Sequence, residues 1–367
     1  MSSHHLPLSA TQMSALAQVK AWLENDTSSK LVFRLFGYAG TGKTTLAKHV
    51  AALVDNEVVY VAYTGKAASV MQQNGCEGAR TLHSLIYTPM SGWDGSVKFQ
   101  LNIDSDIRLE KLVIVDEASM LDDTMASDLL SFGIPVLALG DPAQLPPVKG
   151  PGVFASAKPD VMLTEVYRQG AGSPILEIAT AVRENRNLPL GNYGTSRLII
   201  QDDLSEEDLL SANQILVGRN DTRQGYNAVM RSLLRFTSDL PVEGDRLICL
   251  KNHERLGTFN GEMFQVVSTP VHKKDDVTFE IVPEFGTHSA FEVTISATLF
   301  KSKNMPIEHR NPRPVFDFAY AITCHKAQGS QWSNVLIIDE SGSFRENKNR
   351  WLYTAITRAQ NRVTIAR

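Results

Sequence analysis

Three glycines, a lysine and a threonine follow an apolar run at residues 37–45, in the pattern G-x-x-x-x-G-K-T. Gly37, Gly40 and Gly42 allow the backbone to curl so that successive amide hydrogens point at one phosphate. Lys43 supplies a cation for the β- and γ-phosphates, and Thr44 supplies a hydroxyl for Mg²⁺. The pattern therefore predicts a nucleoside triphosphate site, with a chance glycine-rich turn as the alternative. The other residues of the predicted loop are Ala39, Thr41 and Thr45.

Acidic and amide side chains follow two further apolar runs. KLVIVDEASM reads as a buried strand that ends at Asp116 and Glu117. A carboxylate at the end of a strand beside a phosphate loop can hold Mg²⁺, and the next one can activate water, so the pair favours hydrolysis over kinase-type transfer. PVLALGDPAQLPPV repeats the pattern and places Asp141 and Gln144 where a γ-phosphate sensor would stand. Ordinary solvated loops after strands are the alternative.

A parallel sheet is needed to hold these groups together. Residues 31–36 are a short apolar run, which predicts a central strand before the glycine turn, and a helix should begin near Lys43. Residues 8–24 predict an earlier helix behind the cap Ser9, with Gln12 on its first turn. By default such a glutamine lies on the surface.

The rest of the chain predicts a second α/β domain and two inserts. A polar stretch at about residues 86–108 contains Trp93 and Phe99, and it predicts a protruding lobe whose aromatics stack on bases or pack on the body. Residues 171–240 and 303–367 alternate strands and helices, with GNYGTSR as a loop, while residues 241–302 are short β-like pieces. We therefore predict two α/β domains, the first at residues 1–170, and a small β module inserted in the second.

Composition restricts the setting and the kind of nucleic-acid site. The net charge is −4 and the pI about 6.2, so a nucleic-acid site must be a local groove. Cys76, Cys249 and Cys324 lack C-x-x-C spacing, which argues against a zinc site or disulfides and favours a reducing cytoplasm. No membrane span or signal peptide is predicted. His4 and His5 are interpreted as a disordered start rather than a metal site.

The ordered set GYAGTGKTT, YTGKAA, TLHS, VDEASM, GDPAQLPPV, YRQ, TCHKAQGSQW and YTAITRAQ resembles the superfamily-one DNA helicases of the RecD-like, Dda-like branch. The set spans nearly the whole chain in the family's order. The resemblance implies two RecA-like domains with ATP and Mg²⁺ in the cleft between them. It also implies that the β module is a small barrel and that the lobe carries a strand-separating wedge, for which Phe99 is the candidate.

The resemblance also implies roles for individual residues. Arg358 matches the arginine finger and Arg168 the second γ-phosphate arginine, Gln12 matches an adenine-reading glutamine, and Gln328 and Gly329 match residues near the nucleotide phosphates. A cation on the transferring phosphoryl group can accelerate hydrolysis by about 10³ to 10⁵. The residues that match single-strand contacts are Thr64, His83, Thr323, His325 and Lys326, with Lys66 as a neighbour.

The sequence is thus interpreted as an ATP-dependent helicase or translocase that acts on single-stranded and forked DNA, five-prime to three-prime as the branch implies. A monomer in a bacterial or phage setting is expected, with replication or recombination proteins as partners. The chain is short for the branch and has no recognisable partner module, so translocation is better supported than strong unwinding, and a RecD-like role in a nuclease complex is not expected. The alternatives are an ATP-switched single-strand binding or loading protein and a P-loop phosphotransferase.

Overall fold

The computed structural model describes residues 8–91, 97–146, 154, 158–166, 172–253, 256–284, 289–301 and 313–367. The chain divides into two compact units. The first comprises Met1–Tyr63, Ala67–Thr88 and Gln100–Ser173, and the second comprises Thr64–Lys66, Pro89–Phe99 and Pro174–Arg367. No described helix has both the length and the apolar character that crossing a membrane requires. Cys76, Cys249 and Cys324 are free and buried.

The first unit is built on a fully parallel sheet in the order β3-β2-β6-β7-β1-β8. Its strands are β1 Val32–Gly37, β2 Val58–Ala62, β3 Arg80–Thr81, β6 Leu112–Val115, β7 Val136–Gly140 and β8 Val161–Leu163. Strands β4 Tyr87–Ser91 and β5 Val97–Leu101 form a separate two-stranded sheet. The helices of this part of the chain are α1 Ala10–Asn25, α2 Lys43–Ala52, α3 Gly65–Gln73, α4 Leu82–Ile86 and α5 Asp123–Leu130.

Both faces of this sheet are covered, which explains the continuous apolar runs in its strands. In β6, Leu112 and Ile114 pack with residues of α1 and α2, whereas Val113 and Val115 pack with residues of α4 and α5. The predicted cap of α1 is confirmed, because the Ser9 side chain accepts a hydrogen bond from the Gln12 amide. The predicted helix start at Lys43 is also confirmed.

The second unit contains a sheet in the order β18-β11-β19-β20-β10-β9, in which only β9 is antiparallel to its neighbour. Its strands are β9 Gly191–Tyr193, β10 Ser196–Ile199, β11 Gln214–Val217, β18 Ala321–Thr323, β19 Trp332–Ile338 and β20 Ala359–Ala366. The helices are α6 Pro174–Arg183, α7 Glu206–Ser211, α8 Asn220–Leu233, α9 Ala297–Lys301 and α10 Lys348–Ile356.

One local prediction in this unit was wrong. The segment GNYGTSR was interpreted as a loop, but it forms β9 and β10, which pair Tyr193 with Ser196. The turn between them contains Gly194 at φ 57°, a left-handed conformation that glycine adopts without strain. A two-residue turn with glycine between short strands is a hairpin signal.

A third sheet, antiparallel, lies within the second unit in the order β14-β15-β13-β12-β17, with β16 on the other edge of β15. Its strands are β12 Arg246–Cys249, β13 Met263–Val266, β14 Val271–Lys273, β15 Asp276–Pro283, β16 Phe291–Ser296 and β17 Phe316–Phe318. The four predicted β pieces form β12, β13, β15 and β16. Strand β17 comes from the segment that was interpreted as resumed α/β structure, yet it pairs with β12.

Candidate functional site

The phosphate loop connects β1 to α2 and its backbone is tightly constrained. Gly40 and Gly42 have φ values of 80° and 79°, which favour glycine. A Cβ atom at Gly37 would lie 2.6 Å from Oγ1 of Thr41 and 2.8 Å from Cβ of Leu163. The amide of Tyr38 donates to the carbonyl of Leu163 at 3.2 Å, so β8 holds the loop in place. The predicted loop residues Ala39, Gly40, Thr41, Gly42, Lys43, Thr44 and Thr45 all lie on this turn and the first turn of α2.

The lysine of the loop folds back over the turn. Lys43 Nζ donates to the carbonyl oxygens of Gly37 at 2.7 Å and Tyr38 at 3.2 Å. No side chain caps α2 at its N-cap residue Gly42 in the described structure. The first turn of α2 therefore presents its amide hydrogens and the positive end of the helix dipole to an anion, with a cation beside them.

Gln12 is not a surface residue, although that is the default for a glutamine on a first helical turn. It is buried, its Nε2 donates to the carbonyl of Thr41 at 3.0 Å, and its Oε1 accepts from the amide of Ser9 at 3.0 Å. A Cβ atom at Gly42 would lie 2.5 Å from Nε2 of Gln12. The structure thus brings Gln12 into direct contact with the phosphate loop.

The acidic residues lie at the same edge of the first sheet as the loop. Because β7 lies between β1 and β6 and all three are parallel, Asp141 follows the strand between those that lead to the loop and to Asp116. The amide of Glu117 donates to Oδ1 of Asp116 at 2.8 Å. Glu117 has φ 50° and ψ 41°, a left-handed conformation that is costly for a residue other than glycine. Such strain is typical of functional sites.

Gln144 carries a buried polar atom that needs a ligand or water. Its side chain is 7% exposed, and Oε1 makes no hydrogen bond within the described residues. Its backbone amide donates to the carbonyl of Asp141 at 3.2 Å, while Oδ1 of Asp141 accepts from Ala143 at 2.9 Å. Leaving a buried acceptor unsatisfied costs roughly 1–3 kcal/mol. Gln144 is therefore well suited to sense a bound group through Oε1.

The oxygen donors near the phosphate loop are of the kind that Mg²⁺ prefers. Among the described residues no group of three or more His, Cys, Asp or Glu side chains could enclose a metal ion. Thr44 and Asp116 offer oxygen ligands near the phosphate loop, and Mg²⁺ usually binds through one or two protein oxygens, water and substrate phosphates.

Arg358 lies inside the second unit with its guanidinium engaged. Nε donates to the carbonyl of Thr354 at 3.1 Å, Nη1 to the carbonyl of Ser330 at 3.4 Å and Nη2 to Oγ1 of Thr357 at 3.2 Å. The side chain is 3% exposed. Ser330 directly follows residues 328–329, so the structure brings two predicted nucleotide segments of this unit together. Arg168 and Trp93 lie outside the described residues.

Three predicted DNA residues lie close together in the sequence at the end of β18. Thr323 ends the strand, and His325 and Lys326 lie on the following 3-10 turn. Burial lowers the pKa of both His325 and Lys326, so His325 is neutral at physiological pH. The His325 ring lies 5.7 Å from that of Phe344, and Lys326 Nζ donates to Oδ1 of Asn260 at 2.5 Å.

The remaining predicted DNA residues have contrasting environments. Lys66 Nζ lies 3.8 Å from the ring centroid of Trp332, and burial lowers the pKa of Lys66 well below its usual range, so its amine is not presented to solvent. Thr64 immediately precedes α3, and Phe99 on β5 is 39% exposed. His83 lies on α4, and burial lowers its pKa. Of the predicted DNA residues, His83 alone belongs to the first unit.

Sequence reasoning missed a carboxylate at the end of β19. Glu340 Oε2 accepts hydrogen bonds from the amides of Gly218 at 2.7 Å and Arg219 at 2.9 Å, and Oε1 accepts from Oγ1 of Thr222 at 2.6 Å. The carboxylate therefore holds the two residues that precede α8 and one residue of its first turn. A signal was present, because an apolar strand followed by Asp-Glu occurs twice, at residues 116–117 and 339–340.

Two family models match this chain: an AAA domain over residues 9–201 and a UvrD-like helicase C-terminal domain over residues 318–366. The ATP-dependent RecD2 DNA helicase of Deinococcus radiodurans is 29% identical over 358 residues, which cover 89% of this chain and 46% of that protein. The ATP-dependent DNA helicase dda of Enterobacteria phage T4 is 31% identical over 165 residues, which cover 41% of this chain and 37% of that protein. This chain spans less than half the length of either relative.

Solved structures show the same fold. The crystal structure of Bacteroides Pif1 bound to single-stranded DNA matches with a TM-score of 0.57 at 17% identity, covering 98% of this chain and 92% of that one. Fold and site together define a two-domain α/β protein with a phosphate loop. The AAA-domain model matches more than half of the chain, which therefore belongs to that family and is similar to the superfamily-one helicases RecD2 and Dda.

Proposed function

We propose that this chain is a Mg²⁺- and ATP-dependent motor that moves along single-stranded DNA, five-prime to three-prime, and separates forked duplexes. The observation that carries the proposal is the convergence of the phosphate loop, Asp116, Glu117 and Gln144 at one edge of the first sheet. The names of the relatives support DNA as the polymer and ATP as the fuel. The single strand in the Pif1 crystal structure supports the same choice.

Each candidate site residue of the first unit has one role in the proposed hydrolysis. Lys43 and the amides of the loop hold the phosphates, and Gln12 reads the base from its position against the loop. Glu117 orients the attacking water and accepts its proton, while Gln144 Oε1 contacts the water or the γ-phosphate. Mg²⁺, held by Thr44 and Asp116, would neutralise charge on the phosphate oxygens.

The arginines and the residues predicted near the phosphates are assigned by proposal as well. Arg358 and Arg168 act as the arginines that stabilise the transferring phosphoryl group, with Gln328 and Gly329 near the phosphates. Because Arg358 donates to carbonyl oxygens of its own unit, it must exchange those hydrogen bonds to reach a phosphate. Its contribution is then made mainly in the transition state.

We assign the single strand to Thr64, His83, Thr323, His325 and Lys326, with Phe99 as the candidate wedge and Lys66 as a neighbour. Short polar groups suit phosphate contacts, which grip any sequence and permit movement along it. In this proposal β4 and β5 are the lobe, and the third sheet is the inserted barrel-like module, extending through β17. A monomeric state and a reducing cytoplasmic setting are part of the proposal.

Two measurements test the proposed function. Phosphate release is followed with and without single-stranded DNA, and strand separation is followed on forks that carry only a five-prime or only a three-prime tail. We expect strong stimulation by single strands and separation of the five-prime-tailed fork. ATP-dependent binding without separation would favour the switched binding protein, and turnover that requires an added phosphate acceptor would favour the phosphotransferase.

A further inference from the structure

The end of α4 joins a predicted DNA contact directly to the ribbon formed by β4 and β5. Helix α4 ends at Ile86, and β4 begins at the next residue, Tyr87. The ring centroids of His83 and Tyr87 lie 4.8 Å apart with an interplanar angle of 45°. Tyr87 thus packs on the histidine and is also the first residue of the ribbon.

A hydrogen bond ties this tyrosine to α5. The hydroxyl of Tyr87 donates to Oδ2 of Asp128 at 2.5 Å. Burial, followed by the bond to Asp128, raises the pKa of Tyr87, so the phenol remains a donor throughout the physiological range. Hydrogen bonds to an ionised acceptor are stronger than bonds between neutral groups. Helix α5 is itself fixed at its start, because Oδ1 of Asp122 accepts from the amide of Met125 at 2.9 Å.

The other strand of the ribbon is anchored at the same place. The amide of Asn102, directly after β5, donates to the carbonyl of Ile86 at 2.8 Å. Oγ of Ser105, which is buried, donates to the carbonyl of Leu85 at 2.6 Å. Both strands are therefore tied at their base to α4, and α4 is linked through Tyr87 to α5. These anchoring residues all belong to the first unit.

We propose that Tyr87 and Asp128 are positioning residues that hold His83 and the base of the ribbon in one fixed geometry during strand separation. The inference rests on the proposed function, in which the ribbon carries the wedge. A two-stranded sheet is marginally stable by itself, so a ribbon that must part a duplex needs a stiff base. Hydrolysis of ATP takes place at the phosphate loop, which this bond does not touch.

The test compares Tyr87→Phe and Asp128→Asn with the wild-type chain. Tyr87→Phe keeps the ring against His83 and removes only the hydroxyl, whereas Asp128→Asn keeps the shape and an acceptor but removes the charge. Tyr193→Phe is the matched control, since its hydroxyl donates to the carbonyl of Pro189 at 2.8 Å at an exposed site in the second unit. Fork separation, single-strand-stimulated ATP turnover and melting temperature are measured for each variant.

We expect Tyr87→Phe to slow fork separation by about tenfold, the scale of losing a hydrogen bond to a charged group, while ATP turnover changes by less than about twofold. Asp128→Asn should give a smaller loss of the same kind, and the double variant should be no worse than Tyr87→Phe. Tyr193→Phe should behave as wild type.

Unchanged fork separation in Tyr87→Phe would overturn the inference, as would equal losses of separation and turnover. Losses that multiply in the double variant would also contradict it, because the two residues would then not act through one bond. Failure of the proposed function is distinguishable: the wild-type chain itself would then show no single-strand-stimulated turnover.

Discussion

The helices that follow β1 and β11 begin in opposite ways, although both leave the carboxyl edge of a parallel sheet. Helix α2 starts behind Gly42, with no side-chain cap in the described structure and with Lys43 beside its first turn. Helix α8 starts under the carboxylate of Glu340, which accepts hydrogen bonds from two backbone amides and from Thr222. The first helix start therefore lies beside a cation, and the second lies against a carboxylate of the chain itself.

Glycine is needed at both junctions, but for different reasons. At Gly42 the backbone has φ 79° and a side chain would collide with Gln12. At Gly218 a Cβ atom would lie 2.8 Å from Cε2 of Phe344 and 2.9 Å from Cβ of Glu340. The first glycine permits a left-handed turn, whereas the second permits the close approach of Glu340 and Phe344, which follow β19. The same α/β architecture therefore gives the two helix starts different surroundings: a cation at α2 and a carboxylate at α8.

The largest expected effect comes from removing Lys43, the cation at the start of α2. Lys43→Ala should reduce ATP turnover by about 10³-fold or more, because the cation that contacts the transferring phosphoryl group is lost. The fold should be retained, as measured by circular dichroism and melting temperature. Lys48→Ala, which changes a half-buried lysine of the same helix that donates to the carbonyl of Asn74, is the control. Retained turnover in Lys43→Ala would show that the phosphate loop is not the active site.

An intermediate effect is expected from Arg358, whose guanidinium is hydrogen-bonded within the second unit. Arg358→Ala should lower kcat by about 10³-fold and change nucleotide affinity by less than about tenfold, because its contact is expected mainly in the transition state. Turnover, nucleotide Kd and melting temperature are measured together. Arg362→Ala, at a half-buried arginine that donates to Oγ of Ser211, serves as the control. Equal losses of affinity and kcat would remove Arg358 from the finger role.

The smallest effect should come from changing Glu340, which binds the residues before α8. Glu340→Gln removes the charge that binds the two amides before α8 and should lower the free energy of unfolding by about 1–2 kcal/mol, with nucleotide affinity nearly unchanged. Chemical denaturation and nucleotide titration measure the two quantities, and Glu346→Gln at an exposed position is the control. If nucleotide affinity dropped sharply, the two helix starts would not be independent and the contrast would fail.

Much of the first unit could be predicted from the sequence, because its signals are local. A strand buried on both faces is a continuous apolar run, and a phosphate loop is a fixed spacing of glycines before a helix, so β1, β6 and the start of α2 were all found. The carboxylates at 116 and 117 were placed at the correct edge for the same reason. These features depend on a few consecutive residues and on the rule that parallel strands share an edge.

The features that were missed depend on partners far away in the chain. Strands β14 and β17 have three residues each, too few for a periodic pattern, and β17 exists because it pairs with the much earlier β12. The position of Lys66 over Trp332 and the hydrogen bonds of Glu340 to the residues before α8 likewise join distant segments. Arg358 was predicted as a site residue from the resemblance alone, and no local pattern gives its hydrogen bonds to carbonyl groups.

The position of β20 has a consequence for how the chain is made. All strands of the first sheet lie before residue 164, so that sheet can assemble while later residues are still being synthesised. In the second sheet β20, at Ala359–Ala366, lies between β19 and β10. Until those residues leave the ribosome, β20 cannot pair with β10 and β19. The second unit, which contains Arg358, therefore remains incompletely folded until then, with unpaired strand edges.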